Sequence, residues 1–250
     1  MNRTVKLVLD IAMGAIIPIL ILNNLNEQLG PTLTYILASL IPVAWVFIDL
    51  LFITKRFNFI TSYVGATAIV GGALTFWFVD GIQYAFKDSV GTIFTILVFG
   101  GSIIIAKPIM YYFVIQGMGP SNAQQEKSLK ELLEESKVYK ALLNGTLIIV
   151  VVNTLTGIIN FFLNLSIVTG VVRTAEFNEQ VAQVNAITRI ALTVPELLAF
   201  GLAIVLVRRA MDYYLPDDDE AYDEDDDDDE EYDFWELLEL RDAQRTAAKL

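Results

Sequence analysis

Ser89–Ala106 is a run of eighteen residues without a charged side chain. At 1.5 Å rise per residue it makes about 27 Å of helix, close to the roughly 30 Å hydrocarbon core of a bilayer. Lys87 and Asp88 precede it and Lys107 follows it, so the charges bracket the run. Pro108 then disturbs the hydrogen-bond ladder, and Tyr111 and Tyr112 fall where interfacial aromatics are expected. A stretch of this kind marks an integral membrane protein. The fold class it implies is all-α, a polytopic bundle of membrane helices.

Six spans are expected, at about 5–22, 31–53, 59–79, 89–106, 141–165 and 186–207. Pro31 suits a first helical position, where its missing N–H costs nothing. Pro42 falls inside the second span and should kink it. In the third span Gly65, Ala68 and Gly72 make a small-residue face suited to close helix contact. Loop charges orient the bundle. Eleven Lys and Arg residues, from Arg3 and Lys6 through Lys107 and Lys140 to Arg208 and Arg209, fall on one side. Only Lys87, Arg173 and Arg189 fall on or near the other. The positive-inside rule puts both termini in the cytoplasm, and an even number of spans agrees by putting them on the same side. The short charged lead and apolar run at the N-terminus resemble a signal peptide, but no A-x-A cleavage pattern follows. The run reads as a retained first span.

Residues 118–140 form the main cytoplasmic loop. Ser121 and Gln124 suit a capping box, and Leu129, Leu132 and Leu133 recur at roughly helical spacing. Residues 166–185 form the longest external loop. Residues 216–233 carry most of the net charge of −13 and read as a disordered acidic linker. Residues 234–250 differ: Phe234, Trp235, Leu237 and Leu238 precede Arg241, Arg245 and Lys249, the pattern of a short amphipathic helix with its basic end at the negative dipole terminus. The bland reading of the linker is a solvated tail. The sharper one is a tether that docks a cytoplasmic protein through Phe234, Trp235, Leu237 and Leu238.

Charges inside a bilayer are expensive, so each is a functional candidate by default. Asp10 and Asp49 lie one to two turns from the cytoplasmic boundary. With Lys107 they could form an acidic vestibule, or they could pair with basic side chains that snorkel to the surface, Asp10 with Lys6 four residues away. In the fifth span Asn153, Asn160 and Asn164 share one face with Gly157. In the sixth, Arg189 and Glu196 are seven residues apart. Helical rise places Asn153 level with Glu196 and Asn160 level with Arg189, so the two polar faces should meet or line one cavity. Pro195 leaves the Ala191 carbonyl without its usual donor, which breaks the helix beside Glu196. Broken helices beside ionisable groups serve transporters as substrate and ion sites. The competing reading is packing: asparagine stripes and buried Arg–Glu pairs also glue helices together.

The sequence contains no Cys and no His, which removes thiol chemistry, imidazole bases, the serine–histidine triad and the usual zinc sites. No nucleotide-binding or metalloprotease motif is present, and the acidic run lacks an EF-hand loop. No enzyme activity, cofactor or metal is expected. The acidic soluble portion argues against nucleic acid. The expected partners are the lipid bilayer, a cytoplasmic protein for the tail, and a second copy of the chain.

Pro18, Ile41–Pro42, Lys55–Arg56, Lys87–Asp88–Ser89, Ser102, and Lys107–Pro108 followed by Ile109, Met110, Tyr111 and Tyr112 make a pattern over residues 5–117. In it the sequence resembles the bacterial inner-membrane family related to intracellular septation protein A. It departs in helix number, since that family is generally drawn with five helices, and in the acidic tail. The resemblance implies a protein of the bacterial cytoplasmic membrane acting in the cell envelope, in division or wall synthesis, through protein contacts. It carries over no catalytic residue. The alternative from the residues themselves is a small secondary transporter or proton-coupled carrier using the polar faces of the fifth and sixth spans.

Overall fold

A computed structural model describes residues 3–55, 59–216 and 233–247, and these form helices and connecting turns with no strand among them. Helix α1, Arg3–Ile11, runs through a π turn at Ala12–Ile16 into α2, Ile17–Asn24. The wider turn lies just ahead of Pro18, which cannot donate to the ladder. A short α3, Asn26–Leu29, ends on Gly30 at φ +74°, a conformation glycine adopts at no steric cost. Pro31 then opens α4, Pro31–Ile48, with Pro42 inside it. A second π turn, Asp49–Thr54, closes on Lys55 in the left-handed region. The next elements are α5, Phe59–Thr75, and α6, Gly81–Ile104. They are followed by α7, Ile109–Met118, α8, Ala123–Leu133, and α9, Ser136–Ile167. The last three are α10, Ala175–Ala191, α11, Thr193–Asp212, and α12, Phe234–Ala247.

Among the described residues, four segments are long and apolar enough to cross a membrane: Pro31–Ile53, Gly81–Ile104, Ser136–Ile167 and Ala175–Asp212. Val8–Asn24 and Phe59–Thr75 are apolar but shorter. The helical membrane architecture stands, with four of the six expected spans matched by helices of that length and composition. The fourth expected span also starts earlier than the sequence implied. Gly81, at φ +55°, releases the chain into α6 two turns ahead of Ser89, so Lys87 and Asp88 lie inside the helix instead of at its border.

Two other expectations change. Residues 166–185 are not a long loop. The connection ends at Thr174, whose hydroxyl accepts from the Phe177 N–H at 3.2 Å and caps α10. Helix α10 buries Phe177, Asn178, Val181, Ala182 and Val184, and its polar exterior is what disguised it. In the 118–140 segment the cap sits one residue later than expected. Asn122 accepts from the Gln125 N–H at 2.8 Å, and the Gln125 amide oxygen accepts from the Ser121 N–H at 2.9 Å. The acidic residues 217–232 lie outside the described part of the chain.

The chain divides into two compact units, Met1–Val98 with Val150–Leu198, and Phe99–Ile149 with Ala199–Leu250. The first is built on Leu22, Tyr35, Ala38, Tyr84, Val168, Phe177, Val181, Ala182 and Val184. Its helices approach closely where side chains are small. A Cβ on Gly72 would lie 3.3 Å from Val43 Cγ1, which places the α5 small-residue face against α4. A Cβ on Gly157 would lie 2.6 Å from Thr92 Cγ2, so α9 and α6 nearly touch there. In the second unit Leu129, Leu132, Leu133, Val138, Leu142 and Leu238 are fully buried, and a Cβ on Gly145 would lie 3.1 Å from that of Ala203. Ser102 organises the turn between α6 and α7: its hydroxyl donates to the Phe99 carbonyl at 2.6 Å and accepts from the Ile109 N–H at 3.1 Å.

Gly157→Val should force α6 and α9 apart and lower thermal stability by about 1–3 kcal/mol, the usual range for overpacking. Gly91→Val, on a glycine with open space around it, is the control in the same melting experiment and should cost less.

Candidate intramembrane polar site

The first unit gathers its polar side chains around α6. Lys87 is 7% exposed. Its ammonium donates to the Tyr35 hydroxyl on α4 at 2.8 Å and to the Trp77 carbonyl beyond α5 at 2.7 Å. The Tyr35 and Tyr84 rings stand 4.9 and 5.9 Å from it. Among the described residues no carboxylate forms a salt bridge with Lys87. The buried charge is held by a hydroxyl, a carbonyl and two π faces instead.

Asp88, the next residue, turns toward α9. Its Oδ2 accepts from Asn160 Nδ2 at 2.9 Å and from Asn164 Nδ2 at 2.8 Å. Asn164 is 1% exposed, and the same nitrogen also lies 2.9 Å from the Asn160 carbonyl and 3.3 Å from Asn160 Oδ1. Its own Oδ1 is buried and has no hydrogen-bond partner. Further along α9, Thr156 donates to Glu196 Oε1 at 2.8 Å. Thr156 lies eleven residues before the end of α9, about 16 Å of helix. The α10–α11 break at Leu192 sits one turn before Glu196, at the place the proline predicted.

The asparagine face of α9 therefore meets charge, as its spacing implied, but Asn160 and Asn164 hold Asp88 and not Arg189. Arg189 is exposed and forms no salt bridge among the described residues. Thr156, one turn from Asn153, takes Glu196. Asn153 is half-buried and on the same helix. Lys87 and Asp88 look like border charges because the uncharged run starts after them. The signal that they lie inside a helix was Gly81, a helix-start residue two turns upstream.

Asp10 and Asp49 do come together, through Lys6, whose ammonium is 3.1 Å from Asp10 Oδ2 and 3.2 Å from Asp49 Oδ1. Trp45 Nε1 donates to Asp10 Oδ1 at 2.8 Å. This is the pairing reading of that cluster. Lys107, in the second unit, is exposed. Asn178, missed from sequence, is fully buried and fixes α10: its Nδ2 donates to Asn26 Oδ1 at 2.6 Å and to the Pro31 carbonyl at 2.8 Å.

In the second unit α12 packs on α8 of the same chain. Leu238 is fully buried there, while Phe234, Trp235 and Leu237 are half-buried. Arg241, 3% exposed, bonds to Asp242 at 2.6 and 2.9 Å, and Arg245 pairs with Glu135 at 2.6 Å. Burial alone would raise the Asp242 carboxyl, but bonds from Ser128 and Arg241 and the charges of Arg241 and Arg245 outweigh it, leaving Asp242 below the ordinary carboxylate value.

Neither family models nor curated proteins nor solved structures give a match to this chain.

Tyr35→Phe should destabilise the protein by about 1.5–3 kcal/mol, since it strips one acceptor from a buried ammonium. Lys87→Met in the Tyr35→Phe background should recover most of that loss, and thermal melts of the four forms give the coupling. Because the folded-state value of Asp242 is depressed, its contribution is full above the unfolded carboxylate pKa and fades as pH falls through the folded one. Amide-exchange protection of α12 should drop in acid, and Asp242→Asn should lose that pH dependence.

Proposed function

We propose that this protein is a small secondary carrier of the bacterial cytoplasmic membrane whose working groups are Glu196, Thr156, Asp88, Asn160 and Asn164. The observation that carries the reading is Glu196. It lies half-buried in the apolar Ala175–Asp212 segment and is held by a hydroxyl, with no salt bridge to any described residue. A carboxyl kept in a membrane for packing alone would be expected to meet a cation. One held by a hydroxyl beside a broken helix can take up and release a proton or cation. Asp88 repeats the chemistry nearer the end of α9, so two carboxyls stand along one polar helix face.

The membrane assignment is supported by the four long apolar helices. The bacterial cytoplasmic membrane, with both termini inside, comes from the charge bias and the septation-type motifs. The envelope-interaction reading ranks second. It relies on the terminal helix as a docking element, and α12 already spends Leu238 and Arg241 on α8.

The experiment is flux in liposomes driven by a pH or cation gradient. Glu196→Gln should reduce gradient-dependent flux at least tenfold while the purified protein keeps its melting temperature within a few degrees. Unchanged flux with a large loss of stability would make Glu196 a packing residue and remove the carrier reading.

A further inference from the structure

We propose that Asp88, Asn160 and Asn164 form a binding site for a small monovalent alkali cation, the coupling ion of the carrier; the coupling role rests on that reading, but the site does not. The cluster is rich in acceptors. Two amide groups supply the donors, while Asp88 Oδ2, the Asn160 carbonyl and Asn160 Oδ1 all compete for the Asn164 amide hydrogens. An amide nitrogen has two hydrogens, so three acceptors within 3.3 Å exceed what it can satisfy. Asn164 Oδ1 is a further acceptor, buried and without a donor. Buried polar atoms in native structures are normally paired, so an orphan acceptor on an amide that already holds a carboxylate points to a missing positive species.

Charge selects the valence. The cluster holds one carboxylate and two neutral amides. The adjacent Lys87 ammonium is turned away, onto Tyr35 and the Trp77 carbonyl. A monovalent ion leaves the cluster neutral, whereas a divalent ion would leave a net positive charge at a depth where charge is costly. Donor chemistry selects the ion type. Carboxylate and amide oxygens are hard ligands that suit alkali and alkaline-earth ions over soft metals. Asp88 is exposed, which leaves the ion a way in.

The test measures thermal stability of the full purified chain in detergent at fixed pH and ionic strength, with choline replaced by sodium, lithium or potassium. One of the three should raise the melting temperature saturably, by about 5 °C or more at a hundred times its Kd. Asp88→Asn and Asn164→Ala should abolish the shift, and Glu196→Gln should keep it. If those two variants do not fold, Asn160→Asp decides the matter. It adds a second carboxylate and should move the preference from the monovalent ion to calcium. Equal melting in choline and in all three alkali ions overturns the site, as does a shift that survives in Asp88→Asn. A response to pH alone also overturns it, making the bound species a proton. Alkali binding without liposome flux would keep the site and remove the carrier. Flux with no alkali dependence and no melting shift would do the reverse.

Discussion

The first unit depends on how one ammonium is kept content away from water. Lys87 enters the structure because Gly81 starts α6 early, and a lysine buried there must find acceptors or lose its charge. It finds them on two other segments, the Tyr35 hydroxyl of α4 and the Trp77 carbonyl after α5. Those two bonds fix where the α5–α6 turn lies relative to α4. The same Tyr35 ring packs against Phe177 of α10, 5.8 Å between centroids, and Phe177 packs edge-on against Tyr84 at 5.0 Å. A single polar anchor is thus wrapped by the aromatic core, and α10, which looked like a loop, closes that core.

Turning Lys87 inward turns Asp88 elsewhere. Consecutive residues on a helix project about 100° apart, so the pair cannot face the same neighbour. Lys87 faces α4, and Asp88 faces the asparagines of α9. The close approach of α6 and α9 at Thr92 and Gly157 brings Asn160 and Asn164 within reach. The polar contact and the glycine contact are two parts of one packing solution: the absent side chain at Gly157 lets the amides one and two turns on reach the carboxylate.

Some of this was legible in the sequence and some was not, for definite reasons. The asparagine stripe on α9, the small-residue face of α5, the break before Glu196 and the amphipathic terminal helix all follow from periodicity or from proline, and all are present. Partners across helices were harder. Depth counting compared only the fifth and sixth spans, so Arg189 was the charge it found level with Asn160. Asp88 was outside that comparison, because the uncharged run from Ser89 made it look like a border residue of α6. Helix α10 was hidden for a different reason. Its charged residues face outward, one of its five buried positions is the polar Asn178, and all five fall within about two turns, so mean polarity masks the pattern that a 3.6-residue period would have shown.

The terminal helix carries a similar lesson about polar and apolar balance. Its pattern, apolar residues followed by arginines, suits docking on any surface with the complementary order. Helix α8 offers that order within the same chain: buried Leu129, Leu132 and Leu133, then Glu135 beyond its end. The self-contact is small and polar at its margin, with Arg241 nearly buried and one of its nitrogens, Nη1, unpaired. A guanidinium in that position costs desolvation that a better-matched surface would not impose. The contact is therefore held by Leu238 and by the Arg245–Glu135 pair more than by Arg241. Of these only Leu238 is insensitive to salt, so its burial sets the floor of the affinity and the charges set its response to solution conditions.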